Sequence, residues 1–208
     1  MPLLMRRKPV RVKPRYINTL RFGIHVISIV WVAYIYYMAI TGTLPGDPVQ
    51  YLIDFTGIGA LNLLLLSLCV TPLSRYFKMQ QAMVFRKTLG VYAALYALIH
   101  LSVFVVFELQ FEWQLILSEI VKRPYITVGF FALCILTALL VTSFKRVKFS
   151  MGRAWQNLHN LVYIALFLGA LHYIWSIKST EIQPIIYMAL SLLMLVTRRH
   201  KIQKMFKK

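Results

Sequence analysis

Acidic residues and cysteines are both scarce in this sequence. Its 208 residues include only 6 Asp and Glu, against 24 Lys and Arg. The two cysteines, Cys69 and Cys134, lie inside apolar runs, with neither a CxxC nor a CxxCH pattern. That excludes a disulfide framework, a cysteine-based zinc site and a covalently attached c-type haem. The cysteines are therefore interpreted as small buried apolar side chains.

Apolar residues, by contrast, are abundant. They make up 59% of the chain, and the mean hydropathy is +0.66. A soluble domain of this length cannot bury so much apolar surface, so the composition predicts an integral membrane protein. The net charge of +18 comes from basic residues between the apolar runs. This pattern favours membrane topology over nucleic-acid binding.

Six uncharged segments predict an all-α, six-helix transmembrane bundle that forms a single domain over residues 1–208. The first five are long enough to cross about 30 Å of hydrocarbon, while the last is short. Five spans with a half-inserted end is therefore the alternative. The predicted spans are 22–40, 55–74, 88–107, 124–144, 154–177 and 182–197, flanked by basic ends at 1–21 and 198–208.

The charges sort to the two sides of these spans. Of the 24 basic residues, 21 fall on one side, and only Lys122, Arg123 and Lys178 fall on the other. All six acidic residues lie on that second side. The positive-inside rule predicts that both termini are cytoplasmic.

Four histidines lie within the predicted spans: His25, His100, His159 and His172. Imidazole is a common axial ligand of b-type haem, which needs only correctly placed side chains. At about 1.5 Å per residue, His172 lies about 10 Å and His100 about 4 Å outward of the middle of their spans, whereas His25 and His159 both lie about 9–10 Å inward. Allowing for helix tilt, this predicts that His100 pairs with His172 and His25 with His159. His159 and His172 lie about 20 Å apart along one helix and about 140° apart around it, which makes two haem levels an alternative to one.

Other interpretations of these histidines remain open at this point. Each could be a neutral imidazole hydrogen-bonded to a neighbouring helix, or part of a proton relay. The spans contain no Asp or Glu to partner a proton relay or a small-solute transporter, which weakens both hypotheses. A cofactor-free assembly subunit is a third hypothesis. Arg86, Lys87 and Arg153 could hold haem propionates or a flavin phosphate, although they also fit ordinary positive-inside charge.

At several short stretches the chain resembles the MsrQ/YedZ family, the haem-binding membrane subunits of the bacterial methionine sulfoxide reductase system. The likeness runs from about residue 18 to residue 200, and a wider similarity extends to ferric reductases and NADPH oxidases. The order and spacing of the stretches carry it: Gly46–Val49, Arg86–Gly90, Leu98–Leu101, Arg123–Tyr125, Trp155–Asn160 and His172–Lys178.

The resemblance implies an electron-transfer protein of the bacterial inner membrane. Electrons would come from the quinone pool or a cytoplasmic flavin reductase. They would pass to a periplasmic molybdopterin enzyme, which itself reduces methionine sulfoxide in oxidised envelope proteins. The implied cofactors are one or two b-type haems and FMN. The implied axial ligands are His100, His159 and His172, with His25 as a candidate ligand of a second haem.

The chain also departs from the wider group of NADPH oxidases. Lys87 stands near the position where their third helix has a second histidine, which puts ligation of an inner haem in doubt. Their cytoplasmic dehydrogenase domain is also missing, so an external electron donor is expected.

Overall fold

The computed structural model describes residues 12–177 and 181–206 and is helical throughout, with no strand in these residues. A 3-10 turn at Gln80–Ala82 precedes the third α-helix, and a π-helical segment at Phe104–Glu108 follows it. The α-helices are α1 Pro14–Ile40, α2 Pro48–Tyr76, α3 Met83–Val103, α4 Trp113–Lys122, α5 Pro124–Val141, α6 Lys145–Met151, α7 Arg153–Asn160, α8 Val162–Ser176, α9 Ile182–Val196 and α10 Arg199–Phe206.

Proline marks where three of the long helices begin. Pro14, Pro48 and Pro124 occupy the first turns of α1, α2 and α5, where a missing N–H breaks no intrahelical bond. At α2, Asp47 also caps the helix, because its side chain accepts a hydrogen bond from the Val49 N–H at 2.9 Å. The sequence prediction that Pro124 opens a helix is confirmed.

Four helices build the central core. The largest apolar cluster joins α2, α3, α5 and α8 through residues such as Leu64, Ala93, Leu136 and Leu166. Helix α1 packs on the outside of α2 and α3, and α9 packs on α8 and α2. The core thus consists of two helix pairs, α2 with α3 and α5 with α8, with α1 and α9 at its periphery.

Five helical stretches are long and apolar enough to cross a membrane, so the chain is a multi-pass membrane protein. The described sixth apolar helix, α9, has 15 residues and falls short of that length. The helices α1 and α2 begin at Pro14 and Pro48, before the predicted starts at residues 22 and 55. Both helices include polar residues that precede the apolar run, whereas the predicted boundaries followed hydropathy alone.

The sequence prediction missed α4, which lies between the predicted spans 88–107 and 124–144. Its charged residues and its length of 10 residues hid it from a search for spans. Trp113, Leu117 and Val121 recur every fourth residue and are 69%, 67% and 79% exposed, while Ile116 is buried. An exposed apolar face of this kind is typical of a helix lying along a membrane surface.

The predicted fifth span is also interrupted. Helix α7 ends at Asn160 and α8 begins at Val162, with Leu161 between them. The angle of about 140° between His159 and His172 assumed a straight helix, and that assumption was wrong.

The two ends of the bundle differ in charge. At the end where α2 and α9 end and α3 begins, here the basic end, lie most of the basic side chains that the structure describes. The opposite end, here the histidine end, holds the six acidic residues. The predicted basic segment 1–21 is described only from residue 12, and Lys178 and residues 207–208 also lie outside the described residues.

Candidate functional site

The structure brings His100 and His172 together at the histidine end. His100 lies near the end of α3, and His172 lies near the end of α8. Their ring centroids are 6.1 Å apart and their planes cross at 80°. The two rings are therefore neighbours in the core, and they are the pair that the sequence analysis put together.

A backbone carbonyl anchors each ring. His100 Nδ1 lies 2.9 Å from the carbonyl oxygen of Ile53 in α2, and His172 Nδ1 lies 2.7 Å from that of Tyr125 in α5. A carbonyl oxygen only accepts, so Nδ1 carries the proton in both rings. That leaves the lone pair on Nε2, the nitrogen a metal would bind, and fixes the ring orientation.

Two glycines give the rings room to reach these carbonyls. Gly57 and Gly129 each lie four residues after the carbonyl that accepts from a histidine. A Cβ at Gly57 would lie 3.0 Å from His100 Nδ1, and a Cβ at Gly129 would lie 2.7 Å from His172 Nδ1. Carbon atoms in contact normally stay about 3.5–4.0 Å apart. Any side chain at Gly129 would therefore displace the ring of His172.

These contacts reveal an internal repeat that the sequence analysis did not find. Each carbonyl lies 47 residues before its histidine. Each glycine lies 43 residues before the same histidine. The two sets are 72 residues apart in sequence, so the pair α2–α3 corresponds to α5–α8. The shared signal in the sequence is a glycine at one fixed spacing before each histidine, which is too sparse to stand out alone.

The separation of the two rings can be compared with that expected if both imidazoles held one iron. An iron with about 2 Å bonds to two imidazole nitrogens would separate the ring centroids by roughly 6 Å. The observed separation is 6.1 Å. Among residues 12–177 and 181–206, no group of three or more His, Cys, Asp or Glu side chains could hold a bare metal ion. Two facing imidazoles instead fit a cofactor that brings its own equatorial ligands.

The other two predicted ligands have different partners. His25 Nδ1 lies 2.9 Å from the Tyr92 hydroxyl of α3. His159 Nε2 lies 3.0 Å from the Thr142 hydroxyl, and its ring stacks on Trp155 at 4.0 Å between centroids. The hydrogen bonds and ring contacts of the two histidines thus run to separate neighbours rather than to each other.

The three predicted cofactor cations lie at the basic end, away from the paired histidines. Arg86 is half-buried, and its Nη1 donates to the Thr71 hydroxyl at 3.2 Å. Lys87 is exposed, and its Nζ donates to the Ser143 carbonyl at 2.8 Å. Arg153 is exposed at the start of α7. In the repeat, Lys87 corresponds to His159, 72 residues later.

Comparison with known proteins agrees with this architecture. The family profile described as "Ferric reductase like transmembrane component" matches residues 56–170, which cover most of the four-helix core. A protein from Cronobacter sakazakii named "Protein-methionine-sulfoxide reductase heme-binding subunit MsrQ" is 36% identical over 193 residues, or 92% of this chain and 96% of the relative. The chain belongs to the MsrQ family. Relatives of the same name from Salmonella paratyphi B and Salmonella heidelberg are 35% identical over 196 residues, or 94% of this chain and 98% of theirs.

Membership of the MsrQ family confirms the resemblance that the sequence stretches indicated. The ferric-reductase-like match contains Gly57, His100, Gly129 and His159, and ends two residues before His172. The facing pair therefore joins the matched region to the last turns of α8.

Proposed function

We propose that this chain is a b-type haem electron-transfer subunit of a protein-methionine-sulfoxide reductase system. The support is the pair of facing imidazoles, His100 and His172, held at haem-ligand separation with both Nδ1 atoms anchored. The names of MsrQ relatives, which describe heme-binding subunits of such a system, agree with it.

Each residue of the site has a definite part in this proposal. His100 and His172 would hold the iron through Nε2, and a bound b-type haem supplies reversible one-electron chemistry. The carbonyls of Ile53 and Tyr125 hold the rings in one tautomer and raise their basicity as ligands. The ring of Tyr125 lies 6.1 Å from that of His172 at an interplanar angle of 30°, which shields one side of that ligand.

The direction of electron flow follows from the proposed topology. Six spans, with α9 as the sixth, would leave both termini in the cytoplasm and the histidine end at the periplasmic face of the inner membrane. Electrons would then enter at the basic end, from the quinone pool or a cytoplasmic flavin reductase. They would leave near His100 and His172 to a periplasmic molybdopterin catalytic subunit, where methionine sulfoxide is reduced.

A second haem level and FMN belong to the same proposal. His159 lies toward the basic end, and the position that corresponds to it in the repeat is Lys87. These two positions would therefore supply a second iron with only one histidine ligand. His25, which bonds Tyr92, would have to turn to supply another. FMN rests on the family resemblance, with Arg86, Lys87 and Arg153 as candidate phosphate contacts.

Haem quantitation on detergent-purified protein tests the proposal directly. We expect a reduced b-type spectrum, and a pyridine haemochrome assay that gives haem in stoichiometric amounts. His100→Ala and His172→Ala should each remove most of the haem held by the pair, because a single imidazole cannot supply both histidine ligands. Flavin measured in the same samples tests the FMN assignment.

His200→Ala is the matched control, because the sequence places this histidine after the last predicted span. It should keep the wild-type haem content. A colourless wild-type protein, expressed with ample haem, would contradict the redox function. Wild-type spectra in both His100→Ala and His172→Ala would contradict the ligand assignment.

A further inference from the structure

Four cationic side chains, from three helices and the turn before α10, lie at the basic end. Arg75 lies at the end of α2, Arg86 lies in the first turn of α3, and Arg198 and Lys201 lie around the start of α10. Among the described residues, the acidic side chains lie at the opposite end. The ion pair described there joins Arg123 Nε to Glu119 Oε2 at 2.7 Å. The basic cluster therefore has no carboxylate beside it in the described part of the chain.

Helix α10 is folded back onto the bundle, which brings its cations to the other helices. Ile202 packs against the large apolar core cluster. Lys201 Nζ lies 5.9 Å from the ring centroid of Tyr163 in α8. Arg198 and Lys201 are both half-buried rather than extended into solvent. Packing of α10 thus keeps these two positive charges at the basic end of the bundle.

The electrostatic consequence is visible in both groups from α10. Burial lowers the pKa of Arg198, Tyr163 partly opposes this, and the charges of Arg75 and Arg86 add to the lowering. Burial also lowers the pKa of Lys201, together with the charges of Arg86, Arg198 and Arg75. Arg198 and Lys201 are therefore partly desolvated and within electrostatic range of Arg75 and Arg86. An anion between them would remove both costs.

The cluster is suited to an anion with several oxygens. Guanidinium groups bind phosphate through two parallel hydrogen bonds, and lysine adds a point charge. Arg86 is already oriented by its hydrogen bond to Thr71. Basic pockets between transmembrane helices commonly bind phospholipid headgroups at the cytoplasmic surface. We propose that Arg75, Arg86, Arg198 and Lys201 bind a phosphate group, carried by an anionic phospholipid or by a soluble phosphate ester.

Thermal unfolding of the full chain in neutral detergent tests this site. The variant Arg198→Gln/Lys201→Gln removes two charges of the cluster. The variant Lys145→Gln/Arg146→Gln removes two charges from exposed residues of α6 at the same end and serves as the control. Dioleoyl phosphatidylglycerol should raise the melting temperature of the wild type and the control. The cluster variant should need at least about tenfold more of this lipid for the same rise in melting temperature, because it lacks two of the four cations.

Further arms identify the source of the phosphate. Dioleoyl phosphatidylcholine should stabilise all three proteins equally. Stabilisation by phosphatidylglycerol but not by glycerol 3-phosphate or inorganic phosphate supports a lipid headgroup. Equal stabilisation by millimolar glycerol 3-phosphate supports a soluble phosphate ester.

Two results would overturn the proposal. One is the same phosphatidylglycerol dependence in the cluster variant and in the control. The other is a melting temperature of the cluster variant below that of the wild type without any anion. Removing mutually repelling charges should leave the anion-free protein at least as stable. The outcome is independent of the haem site, because the cluster lies at the opposite end of the bundle.

Discussion

The substitution Gly129→Ala tests how the chain positions its paired histidines. The new Cβ would lie 2.7 Å from His172 Nδ1 and 2.9 Å from two carbons of the same ring. Ordinary carbon contacts need about 3.5–4.0 Å, so the ring must retreat by roughly 1 Å. A retreat of that size takes Nδ1 beyond hydrogen-bonding distance of the Tyr125 carbonyl, now 2.7 Å away.

Losing this anchor should weaken haem binding without removing a ligand. Groups that orient a metal-bound histidine typically contribute about 10- to 100-fold in metal affinity. We expect a loss within that range for Gly129→Ala, measured by haem titration of the apoprotein. Gly57→Ala should lose less, because its closest contact would be 3.0 Å rather than 2.7 Å.

Two further glycines serve as matched controls. Gly169→Ala, on the same helix as His172, would meet only Leu61 at 3.8 Å and should keep the wild-type affinity. Gly59→Ala would press on Tyr96 at 2.6 Å, so it tests for packing damage without a histidine contact. Wild-type affinity in Gly129→Ala, or an equal loss in Gly59→Ala, would refute the role assigned to the glycines.

Three further predictions concern other contacts. Thr142→Val removes the hydroxyl that bonds His159 and should lower the free energy of unfolding by about 1 kcal/mol, measured by denaturant titration. Arg123→Ala breaks a partly exposed ion pair with Glu119 and a hydrogen bond to the Tyr125 hydroxyl, and should cost less than about 1 kcal/mol in the same assay, with haem content unchanged. The lowered pKa of Lys201 means that the unfolded chain binds its proton more tightly, so stability should rise with pH toward the ordinary lysine pKa of 10.5. Thermal melts from pH 8 to 10 should show this rise in the wild type and a smaller one in Lys201→Gln; an equal slope in both would contradict it.

Much of the fold was predictable from hydropathy and charge. Apolar runs located the five spanning helices, because lipid requires long uncharged helical segments. The helix starts at Pro14 and Pro48 were not predicted, because helices extend beyond the hydrocarbon. Helix α4 was also missed, because an amphipathic helix of 10 residues has neither the length nor the uniform apolarity of a span.

The candidate site was predictable only in part. Depth estimates paired His100 with His172, because depth follows from the rise per residue of a helix and needs no knowledge of how the helices pack. The carbonyls of Ile53 and Tyr125 could not be predicted, since every residue has a carbonyl and only packing decides which one meets a ring. The pairing of His25 with His159 depended on depth alone. Their ring nitrogens instead contact the hydroxyls of Tyr92 and Thr142. Depth in the membrane does not indicate which nearby hydroxyl a histidine will contact.

The division of the paired histidines between two helix hairpins has a consequence for biogenesis. His100 belongs to the hairpin of α2 and α3, and His172 to that of α5 and α8. Neither hairpin holds both members of this pair. A haem held by both histidines could bind only after the second hairpin has been synthesised and has packed against the first. Haem absorbance would then measure completed assembly rather than insertion into the membrane.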